Sequence, residues 1–373
     1  MIKVCHMTSA HGPEDVRIFH KECVSLAQAG YETCLVQRGE SYEKNGVHIV
    51  GFGEVTGGRL KRMTQVARRA YETALALDAD IYHLHDPELL PYGLKLKKRG
   101  KKVIFDSHEL YRVQLREKPY LPGWASRLAA WCYARLEDYA LHRIDGLVFP
   151  CEMDGKNPFA GKCAHIALVS NVPRLEELYE QYDPSIPKQE RSVVHVGSLT
   201  HTRGITHLVK AAAKADCTAY LGGLFSPASY QGELEALPEY RHVRYLGRLS
   251  RPQVLETLQS CQIGISTLLK VNQYKIGFNT LATKVYEYMS LGLPVILTDT
   301  DYIQKTVDRY RFGVCVDPEA PEAIASAIQY LLDNPEEARQ MGENGRRAVK
   351  EEFNWGVEEK KLLALYEEIL NEK

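Results

Sequence analysis

Val194-His195-Val196-Gly197-Ser198-Leu199-Thr200-His201-Thr202-Arg203-Gly204-Ile205 is the stretch on which the fold turns. A short apolar run meets a glycine turn, and a helical pattern opens after Arg203-Gly204. That is a strand–turn–helix unit. Gly197 permits close backbone approach, and Arg203 can form a two-pronged contact with phosphate oxygens. Such a charge-assisted bond contributes roughly 1.5–3 kcal/mol. Many units share this pattern, so alone it names no ligand.

About 80 residues on, Asn279-Thr280-Leu281-Ala282-Thr283-Lys284-Val285-Tyr286-Glu287-Tyr288-Met289-Ser290-Leu291-Gly292-Leu293-Pro294-Val295-Ile296 repeats the theme. A polar loop feeds a helix over Ala282–Leu291, Gly292 ends it, and an apolar strand follows. The helix start offers unpaired N–H groups and a partial positive charge, a ready seat for a diphosphate. Lys284 adds a full charge. Glu287, one turn deeper, can accept from the two vicinal hydroxyls of a ribose. The plainer alternative is a Lys284–Glu287 ion pair in an ordinary strand–helix–strand.

Working outward, short apolar runs alternate with helical patterns along the whole chain. Lys3–Met7, Glu32–Gln37, Val47–Phe52, Ile81–His85, Val103–Phe105 and Gly146–Phe149 read as strands. Phe19–Gly30, Leu60–Leu77, Leu89–Arg99 and a long segment after Pro122 read as helices. The polar, proline-bearing stretch Asp183–Arg191 reads as a linker. The alternation then restarts, with Pro321–Leu332, Glu336–Glu351 and a last helix from about Gly356. The expected architecture is α/β: two Rossmann-like domains facing a central cleft, where ligands sit beyond the strand ends.

Composition narrows the class. The chain has 373 residues, 45% apolar and 25% charged, as in globular enzymes. No apolar run is long enough to span a bilayer, and Met1–Met7 reads as a buried strand rather than a signal peptide. Nine cysteines, with no Cys-x-x-Cys, argue for reduced thiols and a cytoplasmic location. The first 170 residues carry 24 Lys and Arg against 20 Asp and Glu. The excess gathers in Arg59, Lys61, Arg62, Arg68, Arg69 and in Lys95, Lys97, Lys98, Arg99, Lys101, Lys102. Such runs attract anionic surfaces or simply solvate a helix face.

In order and spacing, these segments resemble the retaining glycosyltransferases of family 4, of exopolysaccharide, capsule and O-antigen type, which have the GT-B fold. That family's Gly-Arg-Leu…Lys-Gly turn is met by Gly197-Ser198-Leu199 and Arg203-Gly204. Arg203 stands at the lysine position and Ser198 where arginine is usual. The Glu-x7-Glu motif maps onto Asn279 and Glu287, so Glu287 is implied as the ribose carboxylate and Asn279 as a sugar contact. His11-Gly12-Pro13-Glu14-Asp15-Val16-Arg17-Ile18-Phe19 resembles an Asp-x-Arg-Ile-Phe segment of the family. In Asp106-Ser107-His108-Glu109 the histidine resembles the one that points at the transferred sugar; alone it reads as a capping or core residue.

The resemblance implies three domains: an acceptor-binding domain over 1–180, a donor-binding domain over 190–355, and a helix over 356–373 crossing back to the first. It implies a hexosyltransferase using a nucleotide-sugar co-substrate, UDP favoured, acting on a glycan or lipid-linked glycan. Retention would come from a departing diphosphate that takes the acceptor's proton. His108, Arg203, Lys284 and Glu287 are the implied catalytic set. Gly12, Gly197, Ser198, Arg203, Arg248, Leu249, Asn279, Leu281, Ala282, Thr283, Lys284 and Glu287 are the implied donor contacts. His83-x-His85-Asp86 suggests a metal but lacks a third ligand at a telling spacing, so neither metal nor other cofactor is expected. Asp299-Thr300-Asp301 reads as a loop. Trp124, Leu128, Trp131, Cys132, Leu136 and Tyr139, with Arg127 and Arg135 interleaved, form a helical stripe. It faces either the core or an anionic membrane at the inner face of the plasma membrane. No nucleic-acid partner is expected. The competing enzyme reading is a nucleotide-sugar 2-epimerase on the same fold, and a further one is a non-catalytic sugar or nucleotide binder. A dehydrogenase is disfavoured, because no Gly-x-Gly-x-x-Gly follows the first strand.

Overall fold

The computed structural model describes residues 1–54, 61–108, 111–115, 122–271 and 277–372. Arg59, Leu60 and Glu109, named above, lie outside the described residues. The chain divides into two compact units. The first comprises residues 1–152, 156–171 and 356–373; the second comprises 153–155 and 172–355.

The first unit is built on an eight-stranded sheet in the order Tyr42–Lys44, Val47–Gly51, Glu32–Gln37, Lys3–Met7, Ile81–Leu84, Lys102–Asp106, Gly146–Phe149, His165–Leu168. All neighbours are parallel except the first pair. Ile81–Leu84 and Gly146–Phe149 are buried at every residue. Burial on both faces of the sheet explains why Gly146–Phe149 reads as a continuous apolar run, while Ile81–Leu84 carries His83 within it. The antiparallel pair was not foreseen, although Asn45-Gly46 supplied its turn signal. Both residues take positive φ, 53° and 76°, as a tight hairpin needs.

The first helix starts earlier than expected. Val16–Cys23 runs into Val24–Gln28. Asp15 caps it, accepting from the N–H groups of Arg17 (2.9 Å) and Ile18 (3.0 Å). Ile18 and Phe19 enter the core. The last helix, Trp355–Asn371, contributes to the first unit from Gly356 onward. Tyr366 and Ile369 are fully buried there.

The second unit has a six-stranded, all-parallel sheet in the order Val243–Gly247, Thr218–Gly222, Ser192–Val196, Ile263–Ser266, Val295–Thr298, Gly313–Val316. Strand order reverses at Ser192–Val196, which brings the turn after Val196 to the switch point where ligands bind in open sheets.

Two expectations need correction here. Asp299-Thr300-Asp301 is not a plain loop: Thr300 caps the helix Asp301–Tyr310, accepting from Ile303 N–H at 3.3 Å. Nor is 183–191 a free linker. Asp183 N–H donates to Gln259 Oε1, Lys188 Nζ to Gln259 O and Gln189 N–H to Ser260 O, each at 2.6 Å. The division falls at 171/172 because residues from Val172 on pack into the second core: Val172 and Leu178 are buried there, with Tyr179 and Tyr182 against them.

Candidate functional site

In the second unit, four charged side chains gather where Ser192–Val196 ends. The helix Thr283–Ser290 begins after Ala282 with no side-chain cap; Val285 N–H turns back to Ala282 O at 2.8 Å, and the N–H groups of Thr283 and Lys284 have no hydrogen-bond partner among the described residues. Lys284, in its first turn, reaches over Gly197. A Cβ on Gly197 would sit only 1.9 Å from Lys284 Nζ, and φ there is +142°. Only glycine leaves the ammonium its place. Burial pulls the Lys284 pKa below its ordinary value; Glu287 opposes this, and the charges of Arg203 and Arg251 add to it. Three cations therefore share one field with one carboxylate.

Glu287 does not pair with Lys284. Its Oε1 accepts from Arg251 Nη1 at 2.9 Å, and its side chain is 17% exposed. Arg251, at the first turn of the helix Arg251–Ser260, was missed by the sequence reading; only its place after the Ser250 capping box marked it. Arg203 closes the turn His201–Arg203, which Thr200 caps. Among the described residues its guanidinium has no hydrogen-bond partner. Gly204 follows at φ +71°, where a Cβ would meet Thr267 O at 2.2 Å. Leu249 packs over Gly222, while Ser198, Arg248 and Thr283 are exposed, Ala282 is half-buried and Leu281 is buried.

Asn279 has a local task. With its amide oriented to suit its neighbours, it donates to Gly277 O and accepts from Gly155 N–H, both at 3.0 Å. A glutamate could accept but could not donate there, which explains an amide at this position. Beside it lies a cavity of about 380 Å³ lined by Phe278, Thr280, Tyr302 and Lys305 among others.

In the first unit, the strand ends after Met7, Leu84 and Asp106 assemble a buried polar network. Arg17, 6% exposed, donates through Nε to Asp106 Oδ2 (2.8 Å), through Nη2 to Oδ1 (3.2 Å) and through Nη1 to Val169 O (3.1 Å). Burial pushes the Asp106 carboxyl up, but Arg17, His108 and His85 hold it well below the usual range. Glu22, fully buried beside Arg17, goes the other way: burial and Asp106 raise it well above its usual value.

Behind them, the His6 and His85 rings are joined Nδ1 to Nε2 at 2.8 Å. Tyr366 Oη reaches His83 Nδ1 at 2.8 Å and His6 Nε2 at 3.3 Å. Burial lowers all three imidazole pKa values, leaving neutral rings. The third ligand absent from the sequence reading is present in space: His6, Glu22, His83 and His85 hold ligand atoms within 4.8 Å of one another. Both His6 nitrogens, His83 Nδ1 and His85 Nε2 are engaged with each other or with Tyr366, while His83 Nε2, His85 Nδ1 and the Glu22 carboxylate oxygens have no hydrogen-bond partner among the described residues. Sequence separations of up to 360 residues hid this grouping. His108 stands at the edge of the network and His11 beside it, with exposed Gly12 next in the chain.

Four side chains of the second basic run have local partners. Lys97 and Lys102 bond Asp145, Lys101 bonds Asp78, and Lys95 lies over the Tyr92 ring. The stripe on the helix Gly123–Leu141 faces outward: Trp124 is 72% exposed, Leu128 53%, Trp131 58% and Tyr139 53%. Arg127 and Arg135 are exposed beside them.

Residues 180–348 match the family model of glycosyl transferases group 1, and residues 16–156 match that of the glycosyl transferase 4-like domain. Alpha-D-kanosaminyltransferase of Streptomyces kanamyceticus is 25% identical over 202 residues, 52% of this chain and 50% of that protein. D-inositol 3-phosphate glycosyltransferase of Corynebacterium glutamicum is 26% identical over 197 residues, 50% of this chain and 45% of its own. The chain thus spans about half the length of these relatives. Sucrose-phosphate synthase from Thermosynechococcus elongatus shares the fold at TM-score 0.77 and 17% identity, over 100% of both chains. Anabaena HepE in complex with UDP does so at TM-score 0.70 and 14% identity, over 98% of this chain and 99% of its own. With a matched domain in each half and one fold throughout, the chain belongs to the GT-B glycosyltransferases of the family 4 type.

Proposed function

We propose that the protein moves a hexose-type sugar, with retention, from a nucleotide-sugar to a glycan or lipid-linked glycan. The observation that carries this reading is the cluster of Lys284, Arg203 and Arg251 against the single carboxylate of Glu287. It has an excess of positive charge, beside an open helix start, at a switch point. A nucleoside diphosphate supplies the missing negative charge. In the step itself, the bond from sugar C1 to the diphosphate oxygen breaks and the acceptor oxygen bonds C1 from the same face. The acceptor's proton passes to the departing phosphate. Arg203, Lys284 and the helix start stabilise that leaving group, and Glu287 holds the ribose. HepE, solved with UDP and with UDP-glucose, supports uridine as the base. The matched families and named relatives lend no support to the epimerase reading.

A thermal-shift series with UDP-, GDP- and ADP-sugars tests the donor. The expected result is stabilisation of several degrees by a UDP-sugar at saturating concentration. A flat response to all three would remove the donor assignment.

The acceptor belongs to the first unit on this reading. Its outward apolar stripe with interleaved arginines suits an anionic lipid surface, where a lipid-linked acceptor resides. No helix among the described residues is long and apolar enough to cross a membrane. In liposome flotation, binding to anionic vesicles is expected at low salt and weakens with added salt. A protein that stays at the bottom of the gradient at low salt has no such surface.

A further inference from the structure

His83 sits on the strand Ile81–Leu84 and His85 follows two residues on, so both project to the same side. His6, on the neighbouring strand, stands opposite His83 in register. The helix Val16–Cys23 brings Glu22 to them, and all four residues are at most 1% exposed. The sequence expectation of no metal rested on two ligands; space supplies four, with one ligand atom from each within 4.8 Å of the others. The carboxylate is the unbalanced member. Neither Glu22 oxygen has a hydrogen-bond partner among the described residues. Arg17 Nε lies 3.1 Å from Glu22 Oε1, but that guanidinium is bonded twice to Asp106. One guanidinium between two buried carboxylates leaves a negative charge over, and buried charge is paired or coordinates a metal.

We propose that His6, Glu22, His83 and His85 form a structural site for one divalent transition-metal ion, zinc by its ligand set. The spacing fits. Glu22 Oε2 lies 3.9 Å from both His83 Nδ1 and His85 Nε2, and His85 Nε2 lies 2.8 Å from His6 Nδ1. Nitrogen and oxygen ligands at about 2.0–2.2 Å from tetrahedral zinc stand about 3.4 Å from each other. The observed separations straddle that figure, so shifts of about half an ångström close the shell. Imidazoles with a carboxylate suit zinc rather than calcium or magnesium, and four protein ligands with no exposed side are the mark of a structural ion. Such an ion ties the helix that carries Glu22 to the two central strands of the first unit.

The outer ring nitrogens have the support that metal-bound histidines need. His85 Nδ1 faces Asp106 Oδ2 at 3.5 Å, and His6 Nε2 faces Tyr366 Oη at 3.3 Å. Between His6 Nδ1 and His85 Nε2 there is one hydrogen. Moved to His6 Nε2, where Tyr366 Oη accepts it, that hydrogen leaves both inner nitrogens with lone pairs for the ion, and the rings release no proton. His83 Nδ1 exchanges Tyr366 Oη for the ion and keeps its hydrogen on Nε2. The charge of the ion then meets the surplus carboxylate.

Because the site is closed, the test loads it during folding. The untagged full chain is unfolded in urea with a chelator, then refolded with zinc chloride or with chelator alone. Zinc is measured by atomic emission after gel filtration, beside a melting curve. About one zinc per chain is expected to stay bound, with melting about 5 °C or more above the chelator-refolded protein. Cobalt in place of zinc should give the strong visible absorption of a tetrahedral ion. Glu22→Gln keeps the side chain's shape and removes the carboxylate; it should retain less than about a tenth of the parent's zinc. If that variant does not fold, the cobalt spectrum of the parent still decides. A parent that keeps no zinc and melts alike in both refoldings overturns the proposal, and the surplus charge is then met by a proton on Glu22. Zinc held equally by parent and Glu22→Gln lies elsewhere on the surface and overturns it too. The readout needs no nucleotide-sugar, so it stands apart from the transferase reading.

Discussion

Arg203→Ala and Glu287→Ala each lower turnover by more than about a hundredfold while the protein stays folded, as removal of one preorganised transition-state contact does elsewhere. The reason lies in how little else these side chains do. The Arg203 guanidinium is half-buried and has no hydrogen-bond partner among the described residues, so its loss leaves no orphaned group. Among the described residues Glu287 bonds only Arg251, which is half-exposed and can be resolvated. The two variants should differ in kind. On the proposed reading, Arg203 meets charge that grows as the diphosphate departs, so its loss should fall mainly on kcat. On the same reading Glu287 meets the ribose in ground and transition state alike, so its loss should also raise KM for the donor. Initial rates across donor concentration, beside a melting curve, separate the two. Unchanged turnover in both variants would sink the donor site.

Arg17→Met has its main effect on stability. It leaves the Asp106 carboxylate fully buried without its guanidinium and leaves Val169 O unpaired. Removing one partner of a buried ion pair costs about 3–5 kcal/mol. The loss should fall on the first unit, so urea unfolding is expected to show an early transition absent from the parent. The pH sign follows. In the parent, the depressed Asp106 pKa stabilises the fold above the unfolded value and is lost as pH falls through the folded one. Without Arg17 that depression shrinks, so acid sensitivity begins at higher pH. A variant within about 1 kcal/mol of the parent would mean the network is held by other means.

Much of this was legible beforehand because the signals are local. A buried parallel strand reads as a β-branched run, and a turn of positive φ reads as glycine. The alternation of both along 373 residues is enough for two tandem α/β units. Gly197, Arg203, Lys284 and Glu287 could be chosen because each lies within one strand–turn–helix unit. The hairpin at Asn45-Gly46 was legible and overlooked. The strands His165–Leu168 and Gly313–Val316 were harder: they are short, four residues each, and half-buried along much of their length, so their apolar signal is weak.

What the amino-acid order determined by itself was the class of fold and the cationic turn, since both depend on neighbours in the chain. Which charges meet was decided only by tertiary structure. Glu287 chose Arg251 over Lys284, three residues away, because the start of another helix delivers a guanidinium to it. His11 met His108 across 97 residues, and Tyr366 met His6 across 360. Parallel sheets bring strand ends together in spatial order rather than chain order, and hydrogen-bond and ion-pair energies fall within a few ångströms. Pairings of that kind exist only once the strands are in place.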